Sequence, residues 1–154
     1  MSLPNGNYWI TSAIDNERIG RVRNETPNGY PKPIVTHTND RGSAVWQFEV
    51  QPDGLFVLKA KGVIVGADTS GNYPVKAFVS SDPDPNEITT EWAIQLLPSS
   101  SGDLGRSGYI VDPQSNMAWT APRSEPEYSY AVTVKPFNAN DQEQKFFFTM
   151  PILD

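Results

Sequence analysis

Apolar residues recur along this chain at every second position, in short runs separated by glycine, proline and polar clusters. Such alternation puts one set of side chains on one face of a strand. No segment sustains the three-and-four apolar spacing of a long helix. Asn140-Asp141-Gln142-Glu143-Gln144 is the most helix-like patch, and it is short. The runs predict strands in three groups of four. First strands open with glycine and an aromatic-rich run: Gly6 to Ile10, Gly54 to Leu58 and Gly108 to Val111. Second strands follow at Ile19 to Val22, Val63 to Gly66 and Met117 to Thr120. Third strands are β-branched, at Ile34 to Thr38, Val75 to Val79 and Ala131 to Val134. Fourth strands close each unit at Trp46 to Phe48, Trp92 to Ile94 and Phe146 to Phe148.

The closing aromatics Trp46, Trp92 and Phe146 recur at roughly 50-residue spacing, the period of a repeated four-stranded unit. A propeller needs about four blades or more. Three units instead predict an all-β fold, the β-trefoil, with twelve strands in three pseudo-repeats. Six strands close a short barrel, which removes exposed edges, and six form a hairpin cap. The chain is then a single domain over residues 1–154, with lobes at about 1–51, 52–98 and 99–154. The expected inward set is Tyr8, Ile10, Trp46, Phe48, Leu55, Val57, Trp92, Ile94, Ile110, Phe146 and Phe148. In that reading Trp92 and Trp119 are core residues rather than stacking platforms.

Composition supports this picture and narrows the partners. Fourteen prolines and 11 glycines disfavour helix interiors. The net charge of −6 argues against nucleic acid, which needs a basic stripe. No apolar run approaches the ~20 residues that span a bilayer, so no membrane partner is expected. Cysteine is absent, and the N-terminus lacks the basic start and apolar core of a secretory signal. A cytoplasmic location is the expectation.

Catalytic and metal chemistry find little support. His37 is the sole histidine and sits between two threonines in an alternating strand, where a surface role is expected. No nucleophile elbow and no phosphate-binding glycine loop occurs. Asp82-Pro83-Asp84-Pro85-Asn86-Glu87 begins like a calcium loop but has Glu87 where the turn needs glycine, and Ala93 where a bidentate glutamate belongs. Nothing sets Glu125 and Glu127 across a cleft. The chain reads as a non-enzyme without cofactor or metal.

Loops are the remaining carriers of function. The segment Asn24-Glu25-Thr26-Pro27-Asn28-Gly29-Tyr30-Pro31-Lys32-Pro33 holds three prolines and lies between two predicted strands. Each proline fixes its own φ and restricts its predecessor. A stiff, extended loop of this kind can enter a protease cleft as a substrate does, with little ordering cost. Asn28 would then occupy the specificity pocket, flanked by Glu25, Thr26, Pro27, Gly29 and Tyr30. An ordinary Pro-Asn-Gly turn explains the same residues. A second loop competes: Pro122-Arg123-Ser124 offers Arg123, the natural occupant of a pocket with an acid at its base. Lys32 precedes a proline and would make a poor scissile bond. Asn28-Gly29 is also a deamidation-prone pair, because glycine leaves the asparagine side chain unhindered.

Several motifs bear on a family. Gly6-x-Tyr8-x-Ile10, Gly20-Arg21, Trp46-x-Phe48, Glu91-Trp92-x-Ile94, Trp119-Thr120-Ala121-Pro122 and Val134-Lys135-Pro136 together resemble the mushroom β-trefoil serine protease inhibitors over the whole chain. The resemblance implies a cytosolic inhibitor of a trypsin-like serine protease, without a cofactor; an inhibitor of this size has no need of a second copy, so a monomer is expected. The resemblance also implies a reactive loop between strands two and three, with Asn28 as the specificity residue, and a part in defending fruiting bodies. Relatives that use a basic residue on another loop keep Arg123 open. Two alternatives share the fold. One is a carbohydrate-binding lectin, although only Gln144-Lys145-Phe146 keeps part of the expected Gln-x-Trp pattern. The other is a cysteine protease inhibitor presenting the loop from Ser99 to Gly108.

Overall fold

Alternation and turn chemistry shape the twelve strands seen in a computed structural model, which describes residues 3–21, 28–36, 45–80, 83–98, 106–122 and 131–150. The first set is β1 (Gly6–Ser12), β2 (Ile19–Arg21), β3 (Lys32–Thr36) and β4 (Val45–Val50). The second is β5 (Phe56–Ala60), β6 (Val63–Gly66), β7 (Lys76–Ala77) and β8 (Glu91–Leu96). The third is β9 (Arg106–Asp112), β10 (Met117–Thr120), β11 (Thr133–Pro136) and β12 (Phe146–Thr149). The helix-like patch forms one 3-10 turn, Gln142–Gln144.

β1 pairs with β4, β4 with β5, β5 with β8, β8 with β9, β9 with β12, and β12 with β1, all antiparallel. Six strands therefore close on themselves as a barrel. The other six form the hairpins β2–β3, β6–β7 and β10–β11. These meet in a cap. Ile34 N donates to Val75 O at 3.0 Å, Val75 N to Val132 O at 2.8 Å, and Val132 N to Ile34 O at 2.8 Å. This cyclic trio joins equivalent positions of the three units, and all three side chains are fully buried. The fold is a β-trefoil.

The core runs along the barrel axis into the cap. Trp119 packs on Trp46 and Trp92 at centroid distances of 5.6 and 5.5 Å. Trp92 and Trp119 are both 0% exposed, so neither offers a face to a ligand. Trp46 donates its indole N–H to Ile19 O at 2.9 Å.

Four expectations need correction. In β5 the inward residues are Phe56, Leu58 and Ala60, while Leu55 and Val57 are only half-buried. The run Leu55-Phe56-Val57-Leu58 is apolar at every position, so period two cannot choose its phase. The pairs Phe48↔Leu58 and Phe56↔Trp92 choose it. Ile94 is half-buried and packs against the edge of the core. Lys32 and Pro33 belong to β3 rather than to the loop, paired with Ala77 and Lys76. A proline is tolerated near the start of a strand. β7 is also shorter than expected, because Val75 is spent on the cap trio. Val22, His37 and Thr38 lie outside the described residues.

Candidate functional site

The loop that enters β3 carries the site. Asn28, Gly29 and Tyr30 form an exposed bend, with Tyr30 75% exposed. Asn28 Oδ1 accepts a hydrogen bond from Tyr30 N at 3.1 Å, the Asx turn that an asparagine before glycine favours. The same oxygen accepts from Lys32 Nζ at 2.6 Å. Lys32 opens β3 and is 7% exposed, so its stem is packed and its ammonium is directed rather than free. A charge-assisted hydrogen bond of this kind is roughly twice as strong as a neutral one. The bend is thus clamped across Gly29, with Asn28 before it held by Tyr30 and Lys32 after it.

Gly29 touches the second unit. A Cβ there would lie 2.5 Å from Ser80 Oγ, so the loop backbone rests on the segment that follows β7. Beside it, Pro31, Ala67, Tyr73, Pro74, Phe78 and Ile88 line an apolar hollow of about 190 Å³. Sequence reading identified Asn28 but missed both Lys32 and Ser80 as its supports. A lysine four residues after the asparagine was visible. The strand pairing that turns it inward was not.

Glu25, Thr26 and Pro27 lie outside the described residues. So do Arg123 and Ser124 of the competing loop. Only Pro122 is seen there, half-buried after the buried Ala121, whose N–H donates to Glu143 O at 2.7 Å. Residues 99–105 of the glycine-rich loop are also outside, while Arg106, Ser107 and Gly108 belong to β9.

A larger polar cleft of about 740 Å³ lies between the second and third units. Asp112 sits at its floor, 5% exposed. Its Oδ2 accepts from Thr69, Thr89 and Ser115 hydroxyls at 3.0, 3.0 and 2.8 Å, and its Oδ1 from Gln114 N at 3.1 Å. Burial pushes the Asp112 carboxyl up, but these donors outweigh it and hold the group below its ordinary range. Asp68 at the rim is held down by the Ser70 hydroxyl and then by Ser70 N. No aromatic residue lines the cleft among the described residues, so a sugar would find no stacking platform. No cluster of three metal-ligating side chains occurs among the described residues. Asp82 lies outside them, and Asp84 is engaged in a turn, accepting from Asn86 N, Glu87 N and Ile88 N.

Comparison with known proteins agrees with this fold. The model of a family described as peptidase inhibitor I66 matches residues 1–150. No curated protein matches the chain. A proteinase inhibitor from Coprinopsis cinerea superposes with a TM-score of 0.75 at 22% identity, over 97% of this chain and 100% of that one. A Macrolepiota procera ricin B-like lectin, solved with lactose, superposes at 0.67 and 13% identity, over 98% and 99%. The designed threefold-symmetric protein ThreeFoil superposes at 0.65 and 13% identity, over 93% and 97%.

Proposed function

The chain belongs to the peptidase inhibitor I66 family, and we propose that it inhibits trypsin-like serine proteases through the loop that carries Asn28. Membership makes it a protease inhibitor and not an enzyme. The observation that carries the finer reading is the clamp on Asn28, an exposed residue whose side chain is fixed by Tyr30 N and Lys32 Nζ. A loop already held in its bound shape avoids an ordering cost of roughly 0.5–1.5 kcal/mol for each side chain. Asparagine is short and neutral, so it cannot form the ion pair that arginine makes with an acid at the base of a pocket. Affinity then rests on loop rigidity and on backbone hydrogen bonds made by its neighbours. Arg123 has the better charge and is the rival residue.

Inhibition assays on the parent, Asn28→Glu and Arg123→Glu separate the two loops. Asn28→Glu is expected to weaken trypsin inhibition at least 100-fold and Arg123→Glu to leave it nearly unchanged. The reverse result transfers the site to Arg123. A parent that fails against trypsin and chymotrypsin alike removes the serine-protease reading.

A further inference from the structure

We propose that Asn28-Gly29 is a self-modifying site whose conversion is accelerated by Lys32. In the first step the Gly29 nitrogen attacks Asn28 Cγ. The N–Cγ bond forms, the Cγ–Nδ2 bond breaks, and Nδ2 leaves as ammonia with the proton that Gly29 N gives up. The product is a five-membered succinimide. Water then opens the ring at either carbonyl, leaving aspartate or isoaspartate at position 28.

The geometry favours the first step in three ways. Negative charge develops on Asn28 Oδ1 in the tetrahedral intermediate, and two donors already point at that atom: Lys32 Nζ at 2.6 Å and Tyr30 N at 3.1 Å. Preorganised donors aimed at a developing oxyanion are the strongest common device for speeding acyl chemistry. The Asx turn keeps the side chain folded back along residues 28–30 instead of extended into water. Gly29 has no side chain to obstruct the approach, residues 28–30 are open to water, and Gly29 N donates no hydrogen bond among the described residues.

The consequence for inhibition rests on the reading above; the chemistry does not. Isoaspartate adds a methylene to the main chain beside Ser80. The longer backbone shifts Gly29 and Tyr30 and so misplaces position 28 relative to the two donors that hold the bend, Tyr30 N and Lys32 Nζ. Aged protein therefore loses inhibition in step with isoaspartate at position 28.

The test follows amide-to-acid conversion by intact mass and peptide mapping in the folded parent, Lys32→Met and Lys32→Arg, with the parent in urea as reference. The expected result is conversion at Asn28, slowed about tenfold by Lys32→Met, less than the roughly 100-fold or more of an oxyanion donor in a closed active site because the bend is open to water, and largely restored by Lys32→Arg. The folded parent converts faster than the same chain in urea, a comparison that does not depend on any variant folding. Equal rates in the parent and a folded Lys32→Met, or slower conversion in the folded parent than in urea, overturn the proposal. If conversion follows this pattern but the fresh protein inhibits no serine protease, only the functional reading falls.

Discussion

Buried at the end of β9, the Asp112 carboxylate would be costly if it stood alone. Four donors from two units surround it instead. Asp112→Ala removes the shared acceptor of the half-buried Thr69 and Thr89 hydroxyls and of the exposed Ser115 hydroxyl and Gln114 N–H, which should cost about 1.5–3 kcal/mol in urea unfolding at neutral pH because water can replace part of the loss. The pH dependence has a definite sign. The folded carboxyl titrates below its ordinary value, so its contribution is present above about pH 4 and is lost as pH falls through the depressed folded value. The gap between parent and Asp112→Ala should therefore narrow as the pH is lowered below about 4. A gap that stays constant contradicts an ionised Asp112. At this scale the sequence was half legible. Asn28 stood out because turn residues carry local signals. Asp112 and Lys32 did not, because their partners Thr69, Thr89 and Asn28 are set by how strands pair.

Strand limits follow the same logic. β6 and β10 fall where β-branched and aromatic residues predict them, because Lys61-Gly62 and Ser115-Asn116 turn the chain just before them and Pro122 lies close behind β10. β5 was read in the wrong phase because its run is apolar throughout. The end of the proline loop was read too late, because Pro33 can still occupy a strand whose neighbour does not need its N–H. Gly108, read as the opening of a strand, lies inside β9 and has a backbone reason to be glycine. An added Cβ would run into the Gln95 carbonyl of β8. Gly108→Ala should cost about 1–3 kcal/mol through overpacking, measured as a lower melting temperature. An unchanged melting temperature would mean that β8 and β9 can separate freely, against their four-residue register.

The trefoil itself was legible because its threefold spacing of aromatics and strands is a property of the whole chain, tolerant of errors in any single boundary. The cap trio of Ile34, Val75 and Val132 shows how the three units are tied together. Trp119 sits against Trp46 of the first unit and Trp92 of the second. Trp119→Ala should therefore destabilise the whole molecule by about 3–5 kcal/mol, in one cooperative transition. Separate melting of one unit would contradict a shared core. The loop's function was less legible than the fold. Its stiffness could be read from prolines, but the clamp on Asn28 depends on β3 turning Lys32 inward, and the contact at Ser80 depends on a neighbouring unit.

Occupancy of a protease active site is the most direct test of the Asn28 loop as a substrate-like inhibitor. A fluorescent benzamidine bound in the trypsin specificity pocket can be titrated with the parent and with Asn28→Glu. The expected result is stoichiometric displacement of the probe by the parent, with one inhibitor per active site, and at least 100-fold weaker displacement by Asn28→Glu. Binding of the parent to trypsin with the probe still in its pocket, or equal displacement by both proteins, would contradict it.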